Sequence, residues 1–150
     1  MNFNRRQALA LSAAAVAFAA TGFRVSSASA GADETEKRIL DFAGKAPEKG
    51  KITLTAPEIA ENGNTVPVSV KVDSAMSDGD MVESVMIVAD GNPNPEVATF
   101  HFTPLSGAAA ATTRIRLAKT QNVIAVAKMA DGSVFMDKKE VKVTIGGCGG

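Results

Sequence analysis

The sequence predicts an all-β protein, an antiparallel β-sandwich with one short N-terminal helix and a flexible C-terminal arm. Beyond Lys51 the chain is a series of short β-branched runs. In Val66-Pro67-Val68-Ser69-Val70-Lys71-Val72 and Val141-Lys142-Val143-Thr144-Ile145 every second residue is apolar, the period of a strand with one buried face. Turn-forming clusters separate the runs: Asn62-Gly63-Asn64, Asp78-Gly79-Asp80, Asp90-Gly91-Asn92-Pro93-Asn94-Pro95, Ser106-Gly107 and Asp131-Gly132. Strands at this spacing, without long helices between them, indicate an immunoglobulin-like sandwich rather than a parallel α/β sheet. The chain has no Trp and a single Cys, so the buried tryptophan and cysteine pair of antibody domains are missing and only the general architecture is expected.

The elements follow in order. Arg5-Arg6 precede an apolar, alanine-rich run over 8–20, no acidic residue occurs before Asp33, and Ala28-Ser29-Ala30 offers a small-x-small cleavage site. Residues 1–30 therefore read as an export signal cleaved after Ala30. The apolar run is too short for a membrane anchor, which needs about 20 apolar residues. Paired arginines indicate the twin-arginine route for folded proteins. Asn4 and Ala8 depart from that signal's usual residues, which leaves the general secretory route as the alternative.

The acidic stretch Asp33-Glu34-Thr35-Glu36, followed by Ile39, Leu40 and Phe42, suits one short helix capped by Asp33 and ended by Gly44 and Pro47. Strands are expected over 52–55, 66–72, 82–89, 97–103, 113–118, 123–128, 134–136 and 140–145. The sandwich thus occupies 31–145, and 146–150 form the arm.

Removing the signal takes Arg5, Arg6 and Arg24 from 16 basic residues and leaves 13 against 16 acidic ones, a net charge of −3. Mild acidity without a basic cluster argues against nucleic-acid binding, and no basic amphipathic segment remains to hold a membrane. The mature 120 residues, 150 less 30, suffice for one core and one domain. One cysteine allows no intrachain disulfide.

That cysteine, Cys148, stands in Gly146-Gly147-Cys148-Gly149-Gly150. Glycines give no packing surface and sample both signs of φ, so the thiol is expected on a tether reaching about 10 Å from Ile145 at ~3.5 Å per residue. Such a thiol suits the carriage of a group between protein clefts. The alternatives are an incidental cysteine in a disordered tail or an intermolecular disulfide holding a dimer.

Enzyme constellations do not assemble. His101 is the single histidine, placed between Phe100 and Phe102 so that its ring points away from both. One His and one distant Cys cannot make a metal site, and a Cys-His nucleophilic pair would need the fixed geometry that glycines deny. The six methionines are scattered and suit core packing rather than copper. The arm's glycines precede no helix, so they form no phosphate loop. Glu58, Glu61, Asp73, Asp78, Asp80 and Glu83 read as a solvated surface. A small redox enzyme would need a resolving cysteine or a cofactor.

These residues resemble the SoxY family, the sulfur-carrier subunits of the periplasmic thiosulfate-oxidising (Sox) system. The likeness runs from the arginine pair through Ala56-Pro57-Glu58-Ile59-Ala60-Glu61-Asn62-Gly63 with Val66-Pro67-Val68, then Arg114-Ile115-Arg116-Leu117-Ala118 and Lys128-Met129-Ala130-Asp131-Gly132, to the Gly-Gly-Cys-Gly-Gly end. It implies a periplasmic carrier that is not itself an enzyme and holds no cofactor or metal. Cys148 matches the family's attachment cysteine, and Gly146, Gly147, Gly149 and Gly150 its arm.

It further implies a heterodimer with SoxZ, which lacks an export signal and would cross folded on this chain's twin arginines. Transient contacts are implied with the c-type cytochrome SoxAX, which would join thiosulfate to the thiol as an S-thiosulfonate. The manganese-dependent hydrolase SoxB would release sulfate and leave a persulfide, and the molybdenum and haem dehydrogenase SoxCD, where present, would oxidise it. A solvated cysteine with an ordinary pKa of about 8.5 is little ionised at neutral pH, and nothing in the arm lowers that value. Activation is therefore expected from the loading enzyme's cleft.

Overall fold

The computed structural model of the chain describes residues 29–147. The expected export signal, apart from Ser29 and Ala30, and the last three residues of the expected arm, Cys148, Gly149 and Gly150, lie outside them. Helix α1 (Ser29–Ala43) is followed by β1 (Glu48–Lys49), β2 (Ile52–Thr55), β3 (Ile59–Asn62), β4 (Val66–Val72), β5 (Val82–Ala89) and β6 (Glu96–His101). A 3-10 turn (Pro104–Ser106) then leads to β7 (Ala110–Ile115), β8 (Gln121–Met129) and β9 (Val134–Ile145). One sheet runs β1-β9-β8-β5-β6, with β3 also on β9, and the other runs β2-β4-β7.

The two sheets face each other across one core. Val66, Val68, Val70 and Val72 of β4, with Leu54 and Ile115, meet Val85 and Ile87 of β5, Val123, Ala125 and Ala127 of β8, and Val141 of β9. The alternation of β4 appears directly as alternate burial along the strand. Pro67 is tolerated there because β2 pairs only with Ser69 to Val72, so β4 needs no ladder donor on that side at position 67.

Helix α1 covers the outer face of the larger sheet. Ile39 and Ala43, with Phe42 beside them, pack on Met86, Val88, Ile124, Val126 and Val134. Strands β5 and β8 are therefore buried on both faces, which is why their sequences are nearly continuous apolar runs. Burying both sides of β5 and β8 makes them the rigid centre on which the loops are mounted.

The expected sandwich stands, with local differences. The described helix begins at Ser29, so Asp33 lies inside it and not at its cap; Gly44, at φ 75°, ends it as expected and donates its N–H to Leu40 O at 2.7 Å. Pairing is not wholly antiparallel, because β1 and β3 both lie parallel to β9. The segments expected over 134–136 and 140–145 are one twelve-residue strand. Its charged middle stays in the ladder with β8, and Asp137 accepts Leu54 N–H at 2.8 Å from the facing sheet. The methionines serve the core where they are described: Met76, Met86 and Met129 are buried.

Candidate functional site

Strand β9 carries the chain to the arm. Its last residues are held on one side by β3, with Ile59 beside Lys142 and Asn62 beside Ile145. Val143 N–H donates to Thr120 Oγ1 at 2.9 Å, so the loop between β7 and β8 also grips the strand. The direction of the chain is thus fixed as far as Ile145.

Beyond Ile145, three backbone hydrogen bonds link segments far apart in sequence. Gly63 N–H donates to Ile145 O (2.8 Å), Leu117 N–H donates to Gly63 O (2.7 Å), and Gly147 N–H donates to Leu117 O (2.9 Å). Gly63 is the piece the other two close upon. A Cβ at this position would run into Leu117 O, stand 2.7 Å from Gly147 N and 3.0 Å from Val143 Cγ1. Its φ is not positive, so glycine is required here for close approach rather than for backbone conformation.

The same reason applies at the root of the arm. A Cβ on Gly146 would collide with Ala118 O, and one on Gly147 would stand 2.9 Å from Gly63 O and 3.2 Å from Asn64 Oδ1. Gly146 and Gly147 were expected to begin a free tether. In the structure they lie in a fitted backbone seat, and Gly147 is only part exposed.

The seat is braced from beneath. Leu117 is fully buried, which anchors its backbone between the two glycines. Asn92 holds the residues on either side of it: Nδ2 donates to Arg116 O (2.8 Å), and Oδ1 accepts Ala118 N–H (3.0 Å). Gln121, 5% exposed, fixes Asn92 in turn, with Nε2 donating to Asn92 Oδ1 (2.9 Å) and to Lys119 O (3.0 Å) while Oε1 accepts Gly91 N–H (2.7 Å). Every buried polar atom of this group is satisfied. Asp90 completes the brace by accepting Asn122 N–H (2.9 Å) and Nδ2–H (2.7 Å).

Sequence reasoning missed Gly63, Asn92, Leu117 and Gln121 as parts of a site. Gly63 and Asn92 carried turn signals and were read only as turns. A polar Gln heading the apolar run of β8 was the one available sign of a buried network.

His101 is exposed at the end of β6, while Phe100 and Phe102 pack partly against the core, as their alternation requires. It is three strands from β9 across the sheet, about 14 Å at ~4.8 Å per strand. Among the described residues no three His, Cys, Asp or Glu side chains gather as metal ligands. Of the acidic residues read as solvated surface, Asp80 does more. Its carboxylate accepts Ala75 N–H (2.9 Å) and Lys51 Nζ–H (2.9 Å), and these two contacts hold its pKa below the ordinary value.

The comparisons with known proteins agree with this architecture. The chain matches the family described as sulfur oxidation protein SoxY over residues 37–148. Among solved structures it is similar to the sulfur carrier protein SoxY from Chlorobium limicola f thiosulfatophilum, at 34% identity over 76% of this chain and 99% of that chain, with a TM-score of 0.63. It is also similar to the superoxide reductase (neelaredoxin) from Ignicoccus hospitalis, at 21% identity over 74% of this chain and 91% of that one, TM-score 0.56. At that identity the likeness shows the fold alone. No curated protein sequence matches the chain. With the family match covering most of its length and reaching the cysteine, the chain belongs to the SoxY family.

Proposed function

We propose that this protein is a covalent carrier of sulfur intermediates in thiosulfate oxidation, with Cys148 as the attachment point and 146–150 as the arm that presents it. The observation that carries this reading is the family match ending on residue 148, at a cysteine that directly follows the seated Gly147. A sulfur carrier structure from Chlorobium limicola at 34% identity supports it.

The chemistry then divides between carrier and partners. Coupling of the Cys148 thiolate with thiosulfate forms one S–S bond and releases two electrons, which the c-type cytochrome SoxAX would accept. Hydrolysis of the resulting S-thiosulfonate by SoxB adds one water, breaks the S–SO3 bond, and yields sulfate with a persulfide left on the cysteine. SoxCD, where present, would oxidise that persulfide for a second release. The chain supplies a nucleophilic sulfur and a way of presenting it, and the bond-making and bond-breaking groups belong to the enzymes. It acts in the periplasm as a heterodimer with SoxZ, exported by its twin-arginine signal, and holds no cofactor of its own.

Cys148→Ser tests this reading. The variant should keep its melting temperature and its complex with SoxZ while thiosulfate-dependent electron transfer in the reconstituted system falls to background. Turnover by the variant would overturn the carrier role. Loss of assembly with the substitution would instead favour a disulfide-linked structural protein.

A further inference from the structure

The arm's root is built for a fitted position that its glycine content alone does not require. An unstructured tether would tolerate any small residue at its base and would need no complementary surface. Here Gly63, in a loop far earlier in the chain, has no room for a Cβ because Leu117 O and Gly147 N close on it, and Gly146 has none because of Ala118 O. The Gly147 N–H has a dedicated acceptor in Leu117 O at 2.9 Å. That acceptor is aimed by the Asn92 side chain, which holds both neighbouring residues and is itself fixed by the buried Gln121.

We propose that Gly63, Asn92 and the Leu117 carbonyl are positioning residues for the arm. They form a latch that seats Gly146 and Gly147 and must open for Cys148 to reach its full extension. This inference rests on the carrier reading for its purpose. With the latch closed, the last fixed atom is Gly147 N, so Cys148 Cα can sweep only a sphere of about 3.8 Å radius around the held Gly147 Cα. With Gly147 released the free segment starts at Ile145, and three residues give about 10 Å. The latch thereby separates a thiol confined close to Gly147 from one that sweeps the whole arm, and switching breaks the hydrogen bond from the part-exposed Gly147 N–H to Leu117 O. An enzyme cleft that binds the extended arm selects the open state by offering new partners to the released Gly147 N–H.

Amide hydrogen exchange followed by NMR on the mature, unloaded protein tests the latch directly. The Gly147 amide should exchange at least about tenfold more slowly than an unstructured glycine amide. Gly63→Ala should bring the Gly147 amide to random-coil exchange, while Ile87 and Ala125 in the central strands stay protected and lose protection only in proportion to the fall in global stability. Asn92→Ala is the second variant, usable if Gly63→Ala does not fold, and should lower the Gly147 protection several-fold beyond any change at the same core amides. Random-coil exchange of Gly147 in the unsubstituted protein would overturn the proposal, and so would full protection persisting in both variants. Mass analysis of the protein from thiosulfate-grown cells separates the two readings. A sulfur adduct on Cys148 with an unprotected Gly147 removes the latch and leaves the carrier, whereas a protected Gly147 without any adduct keeps the latch and removes the carrier.

Discussion

The glycines of the open turns and those of the arm's seat are the same residue used for two different reasons. Gly79, Gly107 and Gly132 have φ of 87°, 70° and 86° and nothing within 4 Å of where a Cβ would stand. They are glycine because the backbone turns into the left-handed region. Gly63 and Gly146 have no positive φ, yet a Cβ on either would meet a carbonyl oxygen. They are glycine because two chain segments must touch. A glycine-rich sequence therefore does not by itself mean freedom, and the root of the arm in this SoxY-family protein is a fitted contact.

Substitution should separate the two kinds, and the largest effect is expected at Gly63. It is hemmed in by backbone on two sides and by Val143, so an added methyl must displace β9 or the 116–118 loop. Gly63→Ala should cost about 2–3 kcal/mol, as overpacking in a closed site does. Thermal melting checks this, with a fall of roughly 4 °C per kcal/mol expected for a domain of this size. Gly132→Ala comes next, at about 1 kcal/mol, because it strains the backbone while meeting no atoms. Equal losses at the two positions would mean that close approach at Gly63 constrains the chain no more than a left-handed turn does.

Gly146→Ala should change melting least, by less than about 0.5 kcal/mol, since the residue follows the last strand and can leave its seat to relieve the contact with Ala118 O. Its effect should appear instead as faster exchange of the Gly147 amide. A large loss of stability from this substitution would mean that the seat is part of the folding core.

Acid should act on the open turns and not on the seat. Asp80 accepts the Ala75 N–H and pairs with Lys51, and Asp131 accepts the Ser133 N–H, so both carboxyls titrate below their ordinary value of 3.8. Depressed carboxyl pKa values contribute stability that is complete above the unfolded value and lost as pH falls through the folded one. Urea unfolding should therefore weaken slightly below about pH 4 through these open turns. The three backbone hydrogen bonds of the seat contain no titratable group, so Gly147 protection, corrected for intrinsic exchange, should change little over the same range.

How far the fold was legible follows from what each segment packs against. Strands 52–55, 66–72 and 82–89 are found with the expected limits because apolar runs and flanking turn residues mark both ends. Glu48–Lys49 and Ile59–Asn62 escaped notice because they pair with β9 through backbone while presenting mostly exposed side chains. Strand β7 was expected over 113–118 but lies at Ala110–Ile115. Its alanines gave no alternation, and residues 116–118 instead turn away to form the seat. In the arm, Cys148 stands out in the sequence by its isolation among glycines, and it lies outside the described residues. The contact of Gly63 with Leu117 and Gly147 was not, because steric exclusion between distant segments leaves no local pattern.

Mass measurement of the intact mature protein from thiosulfate-grown cells, before and after reduction and with peptide mapping, tests the carrier account most directly. The account predicts a reducible mass increase from sulfane sulfur or thiosulfonate groups, located on Cys148 and dependent on thiosulfate. An unmodified thiol, or only a Cys148-to-Cys148 disulfide that forms regardless of thiosulfate, would contradict it.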